Sequence, residues 1–96
     1  MEEFTTTFWL DFSIADRFGK SAIRDTFNRA FEEWKTDYRY LTDLVIVLNH
    51  KIWEWYDKDH EHPYARLYDE LYWKAKDYAD ENLKGDEFQY YWERTD

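Results

Sequence analysis

Residues 38–56, YRYLTDLVIVLNHKIWEWY, decide the fold of this chain. Leu41, Leu44, Val45, Leu48, Ile52, Trp55 and Tyr56 recur at helical spacing, and Val47, Trp53 and Tyr40 widen the apolar surface well beyond one stripe. A helix apolar over that much of its circumference is packed by neighbours on more than one side, so this segment is expected at the centre of the molecule. Asp37, just before it, is placed to accept a backbone N–H as its N-cap.

Two further helices flank it. Residues 21–35 carry Ile23, Phe27, Ala30, Phe31 and Trp34 on one face and Arg24, Asp25, Glu32 and Lys35 on the other. Residues 63–83 begin at Pro63, which suits the first helical position, and present Tyr64, Leu67, Tyr68, Leu71, Ala75, Tyr78 and Ala79 as a stripe. Gly85 then reads as a left-handed cap. Gly19 separates the first of these helices from a short helical turn over residues 11–17. The ends read differently: residues 4–12 (FTTTFWLDF) and 88–92 (FQYYW) are β-branched or aromatic and too short to show helical periodicity. The expected architecture is therefore mainly α, a single domain over residues 1–96. It consists of a compact three-helix bundle with a short N-terminal helical turn, and a two-stranded antiparallel ribbon is open to the termini.

Composition narrows the class. With Gly 2 and Pro 1, the chain has too little punctuation for an all-β fold. Aromatic residues make up 23% of it, far too many for a disordered acidic tail, although 22 acids face 13 bases and the net charge is −9. There is no cysteine, which excludes a disulfide framework and a thiolate metal site and makes a cytoplasmic, intracellular location the expected one. No run of apolar residues is long enough for a membrane span. The charge is uneven: residues 1–19 carry −3, residues 20–76 carry −1 and residues 77–96 carry −5. Such a surface disfavours nucleic acid and anionic lipid and favours basic partners. If the terminal segments pair, their charges merge into one acidic face.

Few residues suggest chemistry. The loop DKDHEH at 57–62 is the one cluster of metal-ligand type, but it lacks the i, i+4 histidine spacing of a zinc helix and the glycine and spaced acids of a calcium loop. It reads as a solvated connection, His50 reads as a helix-surface residue, and neither metal nor cofactor is expected. Acids beside bases at i, i+4, such as Glu70 with Lys74 and Asp25 with Arg29, are ordinary helix-surface support. With no phosphate loop or nucleophile motif, the chain is read as a non-enzyme. Trp53 and Trp55 lie about 200° apart on one helix, so one of them meets a second surface. Tyr72 with Trp73, and Tyr90 with Tyr91, raise the same question, which a core wrapped on two sides answers as well as an interface or a homodimer does. Finally, Glu70, Asp77 and Glu81 share one helical face, which Asp80, Asp86 and Glu87 extend. Regular carboxylates on a rigid scaffold can stand in for phosphates before a Lys/Arg groove, with an exposed ring such as Trp92 as anchor; a face kept acidic for solubility accounts for the same residues.

The runs IADRFG and AIRDTFNRAFEEWKTDYRYLTDLVIVLNHKIWEWY, which fall within residues 14–56, resemble a family of small proteins of phages and mobile elements of gut Firmicutes. The resemblance implies a phage-associated origin and no activity or site residues. In size and charge alone the chain is also similar to anti-CRISPR proteins. Together these lead to the expectation of an inhibitor whose acidic face, built from Glu70, Asp77, Asp80, Glu81, Asp86, Glu87 and Trp92, covers a basic nucleic-acid-binding surface of a host protein such as a CRISPR effector or another defence nuclease. The alternative is a structural or adaptor protein that forms a helical homo-oligomer.

Overall fold

A computed structural model describes the backbone of residues 2–95 and the side chains of residues 8–95. Five helices follow one another: α1 Glu2–Ala15, α2 Lys20–Trp34, α3 Tyr38–Lys58, α4 Pro63–Asn82 and α5 Asp86–Thr95. Helix α3 is the axis of the molecule and touches all four others. Its Leu41, Leu44, Val45, Val47 and Leu48 are buried, and Asp37 caps it by accepting from the Arg39 N–H at 2.9 Å. Helices α2 and α4 run side by side in the same direction, as Arg24 meets Glu70 at 2.7 Å and Phe31 meets Tyr78 edge-on at 5.2 Å. Helix α1 runs along α3, with Phe8 near Tyr40 and Asp16 near Trp55. Helix α5 folds back on α4, where Lys76 donates to the Tyr91 hydroxyl at 3.1 Å, and so lies parallel to α3.

The middle three helices begin and end within two residues of their expected bounds, but the three-helix bundle with a terminal ribbon is overturned: both ends are helices, and no strand occurs among the described residues. The N-terminal segment is one continuous helix, not a strand followed by a turn over residues 11–17. Phe8, Phe12 and Ala15, spaced four and three apart, fill the core from α1. Phe8, Leu10, Phe12 and Ile14 also alternate as a strand would, and packing of the 8, 12, 15 stripe on α3 overrides that local preference. At the other end, Phe88, Tyr91 and Thr95 turn inward while Asp86 and Glu87 occupy the first turn and Arg94 the last, a charge order that favours a helix. Helices α1 and α5 flank α3 without contact between them among the described residues, so the two ends do not pair as a ribbon. Glu2 and Glu3 lie outside the described side chains.

Two glycines make the turns. Gly19 has φ 108° between α1 and α2, and Gly85 has φ 58° between α4 and α5, both in regions that L side chains rarely adopt.

Candidate functional site

Helix α4 buries Ala65, Leu67, Tyr68, Leu71, Ala75 and Ala79, which leaves Arg66, Asp69, Trp73, Asp77 and Asp80 pointing outward. Of the residues singled out above, Asp77, Asp80 and Glu81 are exposed on the second half of this helix. Gly85 then reverses the chain, and Asp86 and Glu87 are exposed in the first turn of α5. Trp92 is 48% exposed and sits 6.0 Å from the Phe88 ring. Phe88 lines a cleft of about 320 Å³ at the α4–α5 corner with Asp80, Leu83, Lys84, Gly85 and Gln89. Acid and ring thus meet at one corner of the molecule. No ion-pair partner lies within 4 Å of Asp77, Glu81, Asp86 or Glu87 among the described residues, although Lys84 sits in sequence between the two groups.

Two of the candidates stand apart. Glu70 is engaged by Arg24, with Nη1 to Oε2 at 2.7 Å and Nη2 to Oε1 at 3.5 Å, and this hydrogen bond holds the carboxyl below its ordinary range. Trp92 stands apart from both acids of α5, about 120° around the helix from Asp86 and about 140° from Glu87. The coherent set is therefore Asp77, Asp80, Glu81, Asp86 and Glu87 around the α4–α5 corner, with Trp92 farther along α5. Asp80 also faces the buried Tyr91 phenol, whose pKa is raised by burial first and by the Asp80 charge second.

The histidines serve the turn between α3 and α4. His62 Nδ1 accepts from the Tyr64 N–H at 3.0 Å and caps α4, with its ring 4.6 Å from that of Trp55. His60 stacks on Tyr56 at 4.6 Å, and Asp59 accepts from the Glu61 N–H at 3.0 Å. No group of three metal-ligating side chains occurs among the described residues. His50 is exposed, with its ring 5.9 Å from Trp9.

A buried ionic cluster escaped the reading of the sequence. Lys51 on α3 is fully buried, and its Nζ lies 2.6 Å from Asp16 Oδ2 and 2.9 Å from Glu54 Oε2. Asp16 accepts from Trp55 Nε1 at 3.1 Å and from the Tyr68 hydroxyl, whose pKa is raised by burial and then by that bond. The rings of Trp9 and Tyr68 cover the ammonium at 5.1 and 5.7 Å. The cluster ties the end of α1 to α3 and α4, and its lysine is closed to solvent, so it orders the fold and offers nothing to a ligand. One signal does mark it: Lys51 falls on the apolar stripe Leu44, Leu48, Lys51, Trp55, where a charge demands a partner.

The paired rings divide as the helix angles require. Trp55 turns inward to Asp16, while Trp53 is 54% exposed; Tyr72 is half-buried beside an exposed Trp73. No helix among the described residues is long and apolar enough to cross a membrane. Compared with protein families, curated proteins and solved structures, the chain matches none.

Proposed function

We propose that this chain is a non-enzymatic binding protein that covers a basic, nucleic-acid-binding surface of another protein with the acidic corner of α4 and α5, and so acts as an inhibitor. The observation that carries this reading is the run of exposed carboxylates Asp77, Asp80, Glu81 and Asp86, held on two packed helices of which α5 also carries the half-exposed Trp92. Carboxylates on a rigid frame lose little entropy on docking and steer a cationic partner, and a tryptophan at their edge supplies the apolar anchor that charge alone lacks. The partner class is a nuclease or similar protein with a Lys/Arg groove, a defence nuclease being the case expected from the sequence.

The test is displacement of a labelled oligonucleotide from such a protein. The triple reversal Asp77→Lys, Asp80→Lys, Asp86→Lys should abolish displacement, whereas Asp25→Lys, Glu33→Lys, Asp57→Lys, an equal change in net charge at exposed sites elsewhere, should retain it. Equal loss in both variants would reduce the effect to overall charge and defeat the proposal.

A second reading has its own support. Leu10 and Ile14, on the outer side of α1 opposite its buried Phe8 and Phe12, are 56 and 54% exposed, and Phe18, in the turn after α1, is 76% exposed. A helix apolar on both sides is usually covered on both, which favours self-association. Sedimentation decides it: a dimer dispersed by Ile14→Glu would support the reading, and a monomer at all concentrations would remove it.

A further inference from the structure

The outward face of α4 continues N-terminally from Asp77 through Trp73 to Asp69, and there it meets a second cleft. This cleft, of about 380 Å³, lies between the end of α3 and the start of α4 and is lined by Ile52, Trp53, Tyr56, His60, Ala65, Arg66 and Asp69. Trp53 and Tyr56 stand nearly perpendicular, with ring centroids 5.3 Å apart and an interplanar angle of 80°, so they form two walls of a corner. His60 stacks on Tyr56 at an interplanar angle of 13° and fixes that wall in place. Asp69, exposed on α4, faces the corner from across the cleft.

A ring face opposite a carboxylate is what a cationic side chain needs: the ring attracts the charge through its negative face, and the acid neutralises it. The chain fills such settings elsewhere with its own cations. Arg94 lies 3.7 Å from the Tyr90 ring centroid and Lys58 lies 4.3 Å from that of Trp55. Among the described residues no cation sits over Trp53 or Tyr56. Arg66, at the cleft edge, approaches Glu61 at 3.9 Å, and Glu61 lines the neighbouring cleft toward α2 and not this one.

We infer that the Trp53–Tyr56–Asp69 cleft binds one arginine side chain of a basic partner, with the guanidinium stacked on Trp53 and forked onto Asp69. Arginine fits better than lysine because its planar, weakly hydrated head stacks on a ring and bonds a carboxylate with two parallel N–H groups at once. The site deepens the proposed reading: it lies on the same face of α4 as Asp77 and Asp80 and adds a specific contact to their diffuse attraction.

The test uses the protein alone and N-acetyl-arginine amide as probe, followed by the indole N–H resonances of the six tryptophans. Saturable movement of the Trp53 resonance in the millimolar range is expected, with affinity roughly two- to fivefold weaker in Asp69→Asn. Unchanged helical circular dichroism in Asp69→Asn, whose carboxylate is exposed, shows that the loss is local. N-acetyl-lysine amide should bind more weakly; equal binding would overturn the guanidinium assignment. No saturable shift, or a shift centred on Trp92, would overturn the site itself. Because no protein partner takes part, its failure would leave the charge-reversal result on the α4–α5 corner untouched, and the converse holds.

Discussion

Replacing Lys51 by methionine would keep most of the side-chain volume and remove its charge, and the structure sets the size of the effect. The ammonium is fully buried, and the Asp16 side chain it holds at 2.6 Å is only 8% exposed, so that carboxylate would be left in the interior with two neutral donors, Trp55 Nε1 and the Tyr68 hydroxyl. Glu54, whose side chain is 29% exposed, can turn to water and adds less. Removing one member of a buried pair costs about 3–5 kcal/mol, a large part of the roughly 5–15 kcal/mol that holds a domain together. For a domain of this size that lowers Tm by on the order of 10–30 °C. Urea unfolding followed by tryptophan fluorescence measures it. Adding Asp16→Asn removes the orphaned charge, keeps an acceptor for Trp55 Nε1 and turns an N–H donor to the Tyr68 hydroxyl oxygen, which can accept, so the double variant should recover at least about 1 kcal/mol over Lys51→Met alone. A loss under about 1 kcal/mol for the single variant, or a double variant that loses the sum of the two singles, would refute this account of the cluster.

Other expectations follow from single residues. Tyr68 and Tyr91 have pKa values raised above the ordinary 10.0, chiefly by burial, so the stability they confer is complete below about pH 10 and declines above it as the unfolded chain ionises first. In an alkaline titration followed by tyrosinate absorbance, two of the nine tyrosines should ionise only as the protein unfolds; nine equivalent phenols would contradict this. Gly19→Ala should cost about 1–3 kcal/mol and Gly85→Ala about 1 kcal/mol, because φ 108° with ψ −174° is a glycine region whereas φ 58° is ordinary left-handed helix. The nearest atom to an added Cβ at Gly19 is the Tyr64 hydroxyl at 3.8 Å, so backbone strain and not crowding sets that order, which thermal unfolding checks. Asp37→Ala should cost about 1 kcal/mol by unsealing the start of α3, and Asp37→Ser should restore most of it.

What the sequence disclosed follows from how sharply each helix contrasts its two faces. Helices α2, α3 and α4 carry apolar stripes against charged faces, with Asp37, Pro63 and the two glycines as punctuation, and all of this was legible. Helix α1 lacks the contrast: Leu10 and Ile14 outside match Phe8 and Phe12 inside, and threonines at 5–7 lend it a strand-like composition. Helix α5 was hidden by reading only its ring-rich centre, without the Asp86 and Glu87 that start it. The acids of the candidate surface were visible as a row, but not the Arg24 that takes Glu70, since the two are joined only by the packing of α2 beside α4. The Trp53–Tyr56 corner was half visible, because helix angles send one of Trp53 and Trp55 outward, while Asp69 reaches it only through the α3–α4 hairpin.

The central claim, that the α4–α5 corner meets a basic partner, is tested most directly by mapping backbone amide shifts while a Lys/Arg-rich nucleic-acid-binding domain is titrated into the labelled chain. The account predicts saturable changes concentrated over residues 69–92, led by Asp77, Asp80, Asp86 and Trp92, that fade as added salt screens the pairing over about 8–10 Å. Changes spread evenly over α1 and α2, or confined to Leu10, Ile14 and Phe18, would contradict it.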